Sequence, residues 1–244
     1  MGSVTERSDR AKRHITLVIH QVYAYPAFTF TRPVTAQHER RPMQLIYAAA
    51  SPFARKTRVV ASETGLTSRL ELIETTVLPV DVNERVSVVN PLGKIPVLLT
   101  DDGEALYDSR VICEYLDSLH DKPRLFPADP ARRWRTLQLA ALADGVMEAA
   151  VLTRYERAAR PAERQWDEWV DGQLAKVRRG LASLEGSTDL LNEPLDIAQI
   201  GVACALGYLD FRFAELNWRH ESPKLAAFNE QFADRDSMRS TAPV

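Results

Sequence analysis

The chain has 244 residues, 45% hydrophobic and 26% charged, with a formal net charge of −2. That balance suits a soluble globular protein with ample core and gives no basis for electrostatic capture of nucleic acid or an anionic membrane. Two cysteines, Cys113 and Cys204, stand far apart in no CxxC or zinc spacing; this argues against a disulfide scaffold, a dithiol site or a structural metal and fits a reducing cytoplasm.

Residues 1–42 hold seven Lys or Arg against three Asp or Glu, a net +4 beside −6 for the remainder. Their one apolar patch, HITLVIHQVYAYPAFTF, is broken by His20 and Pro26 and lacks a small-residue cleavage site, so it fails as a secretory signal. This segment reads as a disordered extension, or as an upstream start ahead of Met43. No apolar run anywhere approaches the roughly 18 residues that span a bilayer.

From Met43 the pattern becomes that of a domain. Residues 44–48 (QLIYA) form a short buried-strand signal, followed by Ser51-Pro52 and a helical run that Gly65 stops. Residues 69–75 alternate as a second strand, 81–89 form a short helix ending before Pro91, and PVLLT, Asp101-Asp102-Gly103 and EALYD form a hairpin. Ile112, Tyr115, Leu116 and Leu119 then share one helical face. Residues 43–120 therefore read β-α-β-α-β-β-α. Residues 121–130 carry three prolines and read as a linker. Helical patterns follow over about 131–157, 161–186, 194–217 and 223–233, giving an all-helical unit at 131–244. The segment DIAQIGVACALGYLDF is apolar on nearly every face and fits a central buried helix, with Gly201 and Gly207 allowing close approach of neighbours.

Four places carry chemistry-bearing residues, each with a plain folding role beside a functional one. Ser51-Pro52 is a strong helix start, with Ser as cap and Pro in the first turn. The same geometry sets a hydroxyl and free N–H groups where an anion such as a thiolate is favoured. In NPLGKIPVLL, a proline directly before a strand is either trans on an edge or cis; the cis form would turn the Ile95 backbone outward, with Lys94 beside it to meet a carboxylate. In YDSRVI, Ser109 is the expected cap with Asp108 next to it, and the pair also suits an amino-acid head group. Asp196, with Glu193 as cap and Pro194 after it, reads as a folding device. The basic run ARKTR reads as a solvated helix face, and the five histidines stand in no metal or triad context.

These features in this order, with LADG, AAVLTRYE and DIAQIGVACALGYLDFR, resemble the cytosolic glutathione S-transferases, most closely the bacterial serine-type members, from Gln44 to Pro243. The resemblance implies a thioredoxin-like α/β N-terminal domain followed by an all-α C-terminal domain, usually paired as a homodimer. It implies glutathione as co-substrate, no metal, and a role in detoxification. Ser51 would support the thiolate; Lys94, Ile95, Pro96, Asp108 and Ser109 would hold glutathione, Asp108 standing where glutamate is commoner. Asp144 would reach a partner's glutathione, while Met147, Val151 and Tyr155 would line the pocket for a small hydrophobic electrophile. A non-catalytic interaction module, or a glutathione-dependent dehalogenase, isomerase or peroxidase, is the alternative, because fold does not fix function.

Overall fold

A computed structural model describes residues 42–243; residues 1–41, which hold the expected extension, and Val244 lie outside them. The chain opens with β1 (Met43–Tyr47), α1 (Pro52–Thr64), β2 (Leu70–Glu74), the short α2 (Glu84–Ser87), β3 (Val97–Leu99), β4 (Ala105–Leu106) and α3 (Ser109–Ser118). The strands form one sheet in the order β2-β1-β3-β4. β1 and β2 run parallel, with Leu45 opposite Leu72, and the other two pairings are antiparallel. The β-α-β-α-β-β-α reading holds, with element ends shifted by a few residues.

One face of the sheet packs Met43, Leu45 and Leu98 into the main core with α1 and α3, and the other packs Ile46 and Val97 against Val86 of α2. The hairpin turn places Gly103 at φ 89°, a left-handed conformation suited to a three-residue loop.

The helical part contains α4 (Pro130–Ala158), α5 (Asp167–Glu185), α6 (Ile197–Arg212), α7 (Trp218–Glu221), α8 (Pro223–Ala233) and α9 (Asp236–Arg239). A window of α4 is long and apolar enough by composition to cross a membrane, yet half of it is buried within the protein. α6 is the central helix expected, buried along nearly its whole length. At Gly201 an added Cβ would already sit 3.4 Å from Ala143 of α4, so the small residue sets that spacing.

Three sequence expectations need correction. α6 is capped by Asp196, not Glu193: the Asp196 carboxylate accepts from the N–H groups of Ala198 and Gln199 at 2.9 and 3.3 Å, and from Thr136 Oγ1 at 2.8 Å. Its backbone is extended, and Ile197 N–H bonds to the Leu125 carbonyl, so the helix starts later than Pro194 suggests. α6 also stops at Arg212, where Phe213 leaves the helical conformation and buries its ring. α5 begins at Asp167, because Pro161 is extended and a short 3₁₀ turn intervenes. The linker, for its part, is anchored: Asp117 accepts from Leu125 and Phe126 N–H, and both side chains are buried.

Candidate active site

Strand order brings three of the sequence-predicted pieces to one end of the sheet. Ser51 follows the end of β1, Ile95-Pro96 precedes the start of β3, and Asp108-Ser109 follow the end of β4. Because β3 runs antiparallel to both β1 and β4, these positions share an edge.

Ser51 has extended backbone (φ −80°, ψ 120°) and accepts through Oγ from Ala54 N–H at 3.3 Å. Pro52 follows in the first turn, and no acidic residue occupies that turn. The α1 N-terminus thus keeps its partial positive charge.

The Ile95–Pro96 bond is cis, as the outward-facing alternative required. Asn90, 2% exposed, staples the turn before it. Its Nδ2 donates to the Lys94 carbonyl at 2.8 Å and its Oδ1 accepts from Leu92 N–H at 3.1 Å, while Gly93 sits at φ 62°. The Ile95 backbone N–H and C=O have no backbone partner among the described residues, so both remain available to an extended peptide. Lys94 beside it is exposed.

At the third piece the cap is Asp108 rather than Ser109. The Asp108 carboxylate accepts from Arg110 N–H at 2.9 Å, and Ser109 is the first helical residue, 3% exposed. The shift by one residue follows from chain direction: Asp108 is the last extended residue, and its short side chain reaches the free N–H two positions on.

A small cleft of about 10 Å³ opens at Ser51, lined further by Pro52, Arg55, Cys204, Tyr208 and Pro243. The basic run on α1, expected to be solvated, is instead largely internal: Arg55 is 8% and Lys56 2% exposed. Lys56 Nζ meets Asp144 at 2.5 Å, and Arg110 Nε meets the other oxygen of that carboxylate at 3.0 Å. Asp144, 3% exposed, therefore binds α1, α3 and α4 together within one chain, and its carboxylate faces these two cations.

Of the residues assigned to a second-substrate pocket, Met147 is fully buried in the core, whereas Val151 and Tyr155 are half-buried. Burial raises the Tyr155 phenol pKa, and it pushes Tyr208 up to about 12. Both cysteines are buried thiols: burial pushes Cys113 up to about 12 and Cys204 up to about 11. Neither forms a thiolate near neutral pH.

Sequence reasoning missed Arg55, Cys204, Tyr208 and Pro243. Arg55 was within reach, being one helical turn after Ser51 and so on the same face. Cys204 and Tyr208 are likewise one turn apart, but on a helix apolar all round no periodicity marks the side that meets a cleft.

Comparison with known proteins identifies the family. Residues 50–119 match the model of the glutathione S-transferase N-terminal domain, and residues 167–228 match that of the C-terminal domain. The chain is 37% identical over 204 residues to the uncharacterized GST-like protein YibF of Escherichia coli (strain K12), covering 82% of this chain and 98% of that one. A glutathione transferase family member from Pseudomonas fluorescens Pf-5, solved with bound glutathione, is 49% identical with a TM-score of 0.81, covering 83% of this chain and 99% of the other. A second structure under the same description holds S-(propanoic acid)-glutathione, at 48% identity and a TM-score of 0.78, covering 83% and 100%. With a four-stranded mixed sheet, a helical second domain and similarity along nearly the full length of these relatives, the chain belongs to the glutathione S-transferase family.

Proposed function

We propose that the protein conjugates the thiolate of glutathione to a small hydrophobic electrophile. The observation that carries this is the convergence of a helix-capping serine, an unpaired Ile95 backbone and the Asp108-Ser109 helix start at one sheet edge, beside a cleft. In this reading the Ile95 backbone pairs with the cysteinyl part of glutathione. Lys94 meets the glycyl carboxylate, and Asp108 and Ser109 hold the γ-glutamyl head. The ends of the tripeptide thereby fix the sulfur over Ser51, and remote binding energy is spent on positioning.

Ser51 Oγ accepts from Ala54 N–H and keeps its own proton to donate to sulfur. The thiolate then attacks the electrophilic carbon, a C–S bond forms, and the leaving group departs with the bonding pair. The Pf-5 relative held with an S-substituted glutathione supports the view that such a site accommodates sulfur bearing a substituent. Val151 and Tyr155 on α4 would border the second substrate. We further read the protein as a cytoplasmic homodimer, which fits its two free thiols and the exposed apolar side chains of Val80, Val82, Val88 and Leu92.

Calorimetric titration with glutathione, followed by a panel of halogenated, α,β-unsaturated and isomerisable substrates, tests the proposal. Binding together with conjugate formation supports it. No binding at millimolar glutathione would leave a non-catalytic module. Binding with turnover only of the isomerisable substrates would make the enzyme a glutathione-dependent isomerase.

A further inference from the structure

Arg55 occupies a wall of the Ser51 cleft, and among the described residues no acidic side chain pairs with it. It is 8% exposed, its Nη2 donates to the Met238 carbonyl at 3.1 Å, and its Nε has no acceptor among the described residues. Its Nη1 lies so close to α6 that a Cβ on Gly207 would fall 2.4 Å from it. A buried cation without a counter-ion is unfavourable, and an anion entering the cleft relieves it.

Among the described residues, the surrounding charges leave this cation uncancelled. Lys56, next along α1, pairs with Asp144, a carboxylate it shares with Arg110. Arg58 bonds the Ser240 carbonyl and stacks on Tyr47. From α6, Cys204 and Tyr208 are neutral near pH 7, since burial pushes them up to about 11 and about 12. From the C-terminal side, Asp236 pairs with Arg239, and Arg235 pairs with Glu63.

We propose that Arg55 holds the sulfur of bound glutathione in its thiolate form, supplying positive charge where Ser51 supplies a directed hydroxyl. This rests on the glutathione reading above. On binding, the S–H bond breaks and its proton passes to solvent water, while the guanidinium stays protonated throughout. Gly207 belongs to the same device, because only a residue without Cβ admits the guanidinium at that point on α6.

The test is a pH titration of thiolate absorbance in the glutathione complexes of wild type, Arg55→Met, Arg55→Lys and Arg58→Met. Arg55→Met should leave about tenfold less thiolate at a given pH on the rising part of the curve, with glutathione affinity within about twofold of wild type. Arg55→Lys should restore most of the loss. Arg58→Met removes a comparable contact to the C-terminal segment and should leave the titration unchanged. Should Arg55→Met fail to fold, Gly207→Ala displaces the guanidinium without deleting it and should shift the titration the same way.

A wild-type titration in Arg55→Met, or an equal shift in Arg58→Met, overturns the proposal. So does a rate loss confined to acid-bearing electrophiles at unchanged thiol titration, which would assign the guanidinium to the second substrate. A wild type that binds no glutathione would instead overturn the underlying reading.

Discussion

Ser51 has one oxygen for two partners, and the structure uses only one of them for folding. Its acceptance from Ala54 N–H is a cap contributing about 1 kcal/mol to α1, and the hydroxyl proton is left over for a ligand. The capping role was legible from Ser-Pro alone, because cap chemistry is local. What the cap faces was not legible, since Tyr208 comes to it from α6 and Pro243 from the C-terminal segment, both far along the chain. The tightest of those approaches is at Gly207. Replacing it with alanine would drive a Cβ to 2.4 Å from Arg55 Nη1, within a region where α1 and α6 are both fixed. We expect Gly207→Ala to lower stability by about 1–3 kcal/mol in urea unfolding, with the slope of the transition unchanged. A midpoint equal to wild type would mean the guanidinium moves aside freely.

Among elements, α1 is tied to the rest of the chain by a series of polar contacts. Lys56 ties it to α4 through Asp144, Arg55 and Arg58 reach carbonyls of the C-terminal segment, and Glu63 near its end receives Arg235 and Ser237. Burial acts to raise the Glu63 pKa, but the bonds from Arg235 and Ser237 outweigh it and hold the carboxyl below its ordinary value of 4.5. A lowered folded-state pKa contributes stability that is present above the unfolded-state value and is lost as pH falls through the folded-state value.

Glu63→Gln should therefore cost about 1 kcal/mol at neutral pH, discounted for the partly exposed Arg235. The gap to wild type should close progressively as unfolding is measured below pH 4.5. A gap that persists unchanged into acid would assign the effect to packing instead. The strands and helices themselves were legible because their apolar periods are local. The internal placement of ARKTR was not. Three cations in four residues read as a wet surface unless the distant Asp144, Met238 and Ser240 are known to receive them.

At the scale of the whole molecule, the domain pattern followed from the linker prolines, yet the linker is tied on both sides through Asp117 and Ile197 and is no free hinge. Around α2, Val80, Val82, Val88 and Leu92 are 76%, 79%, 81% and 69% exposed, a patch that a single chain leaves wet. In a two-fold homodimer formed through it, Val88→Glu with Leu92→Glu should move the protein from dimer to monomer in sedimentation without loss of far-ultraviolet circular dichroism. An unchanged sedimentation coefficient would remove this face from the interface.

The central claim, that the cleft exists to hold a thiolate over Ser51, is tested most directly by titrating the sulfur itself. The glutathione complex of the wild type should show its thiol ionising well below the free value of about 8.5, and Ser51→Ala should return it toward that value with glutathione still bound. A bound thiol that ionises at the same pH in both proteins would contradict the account.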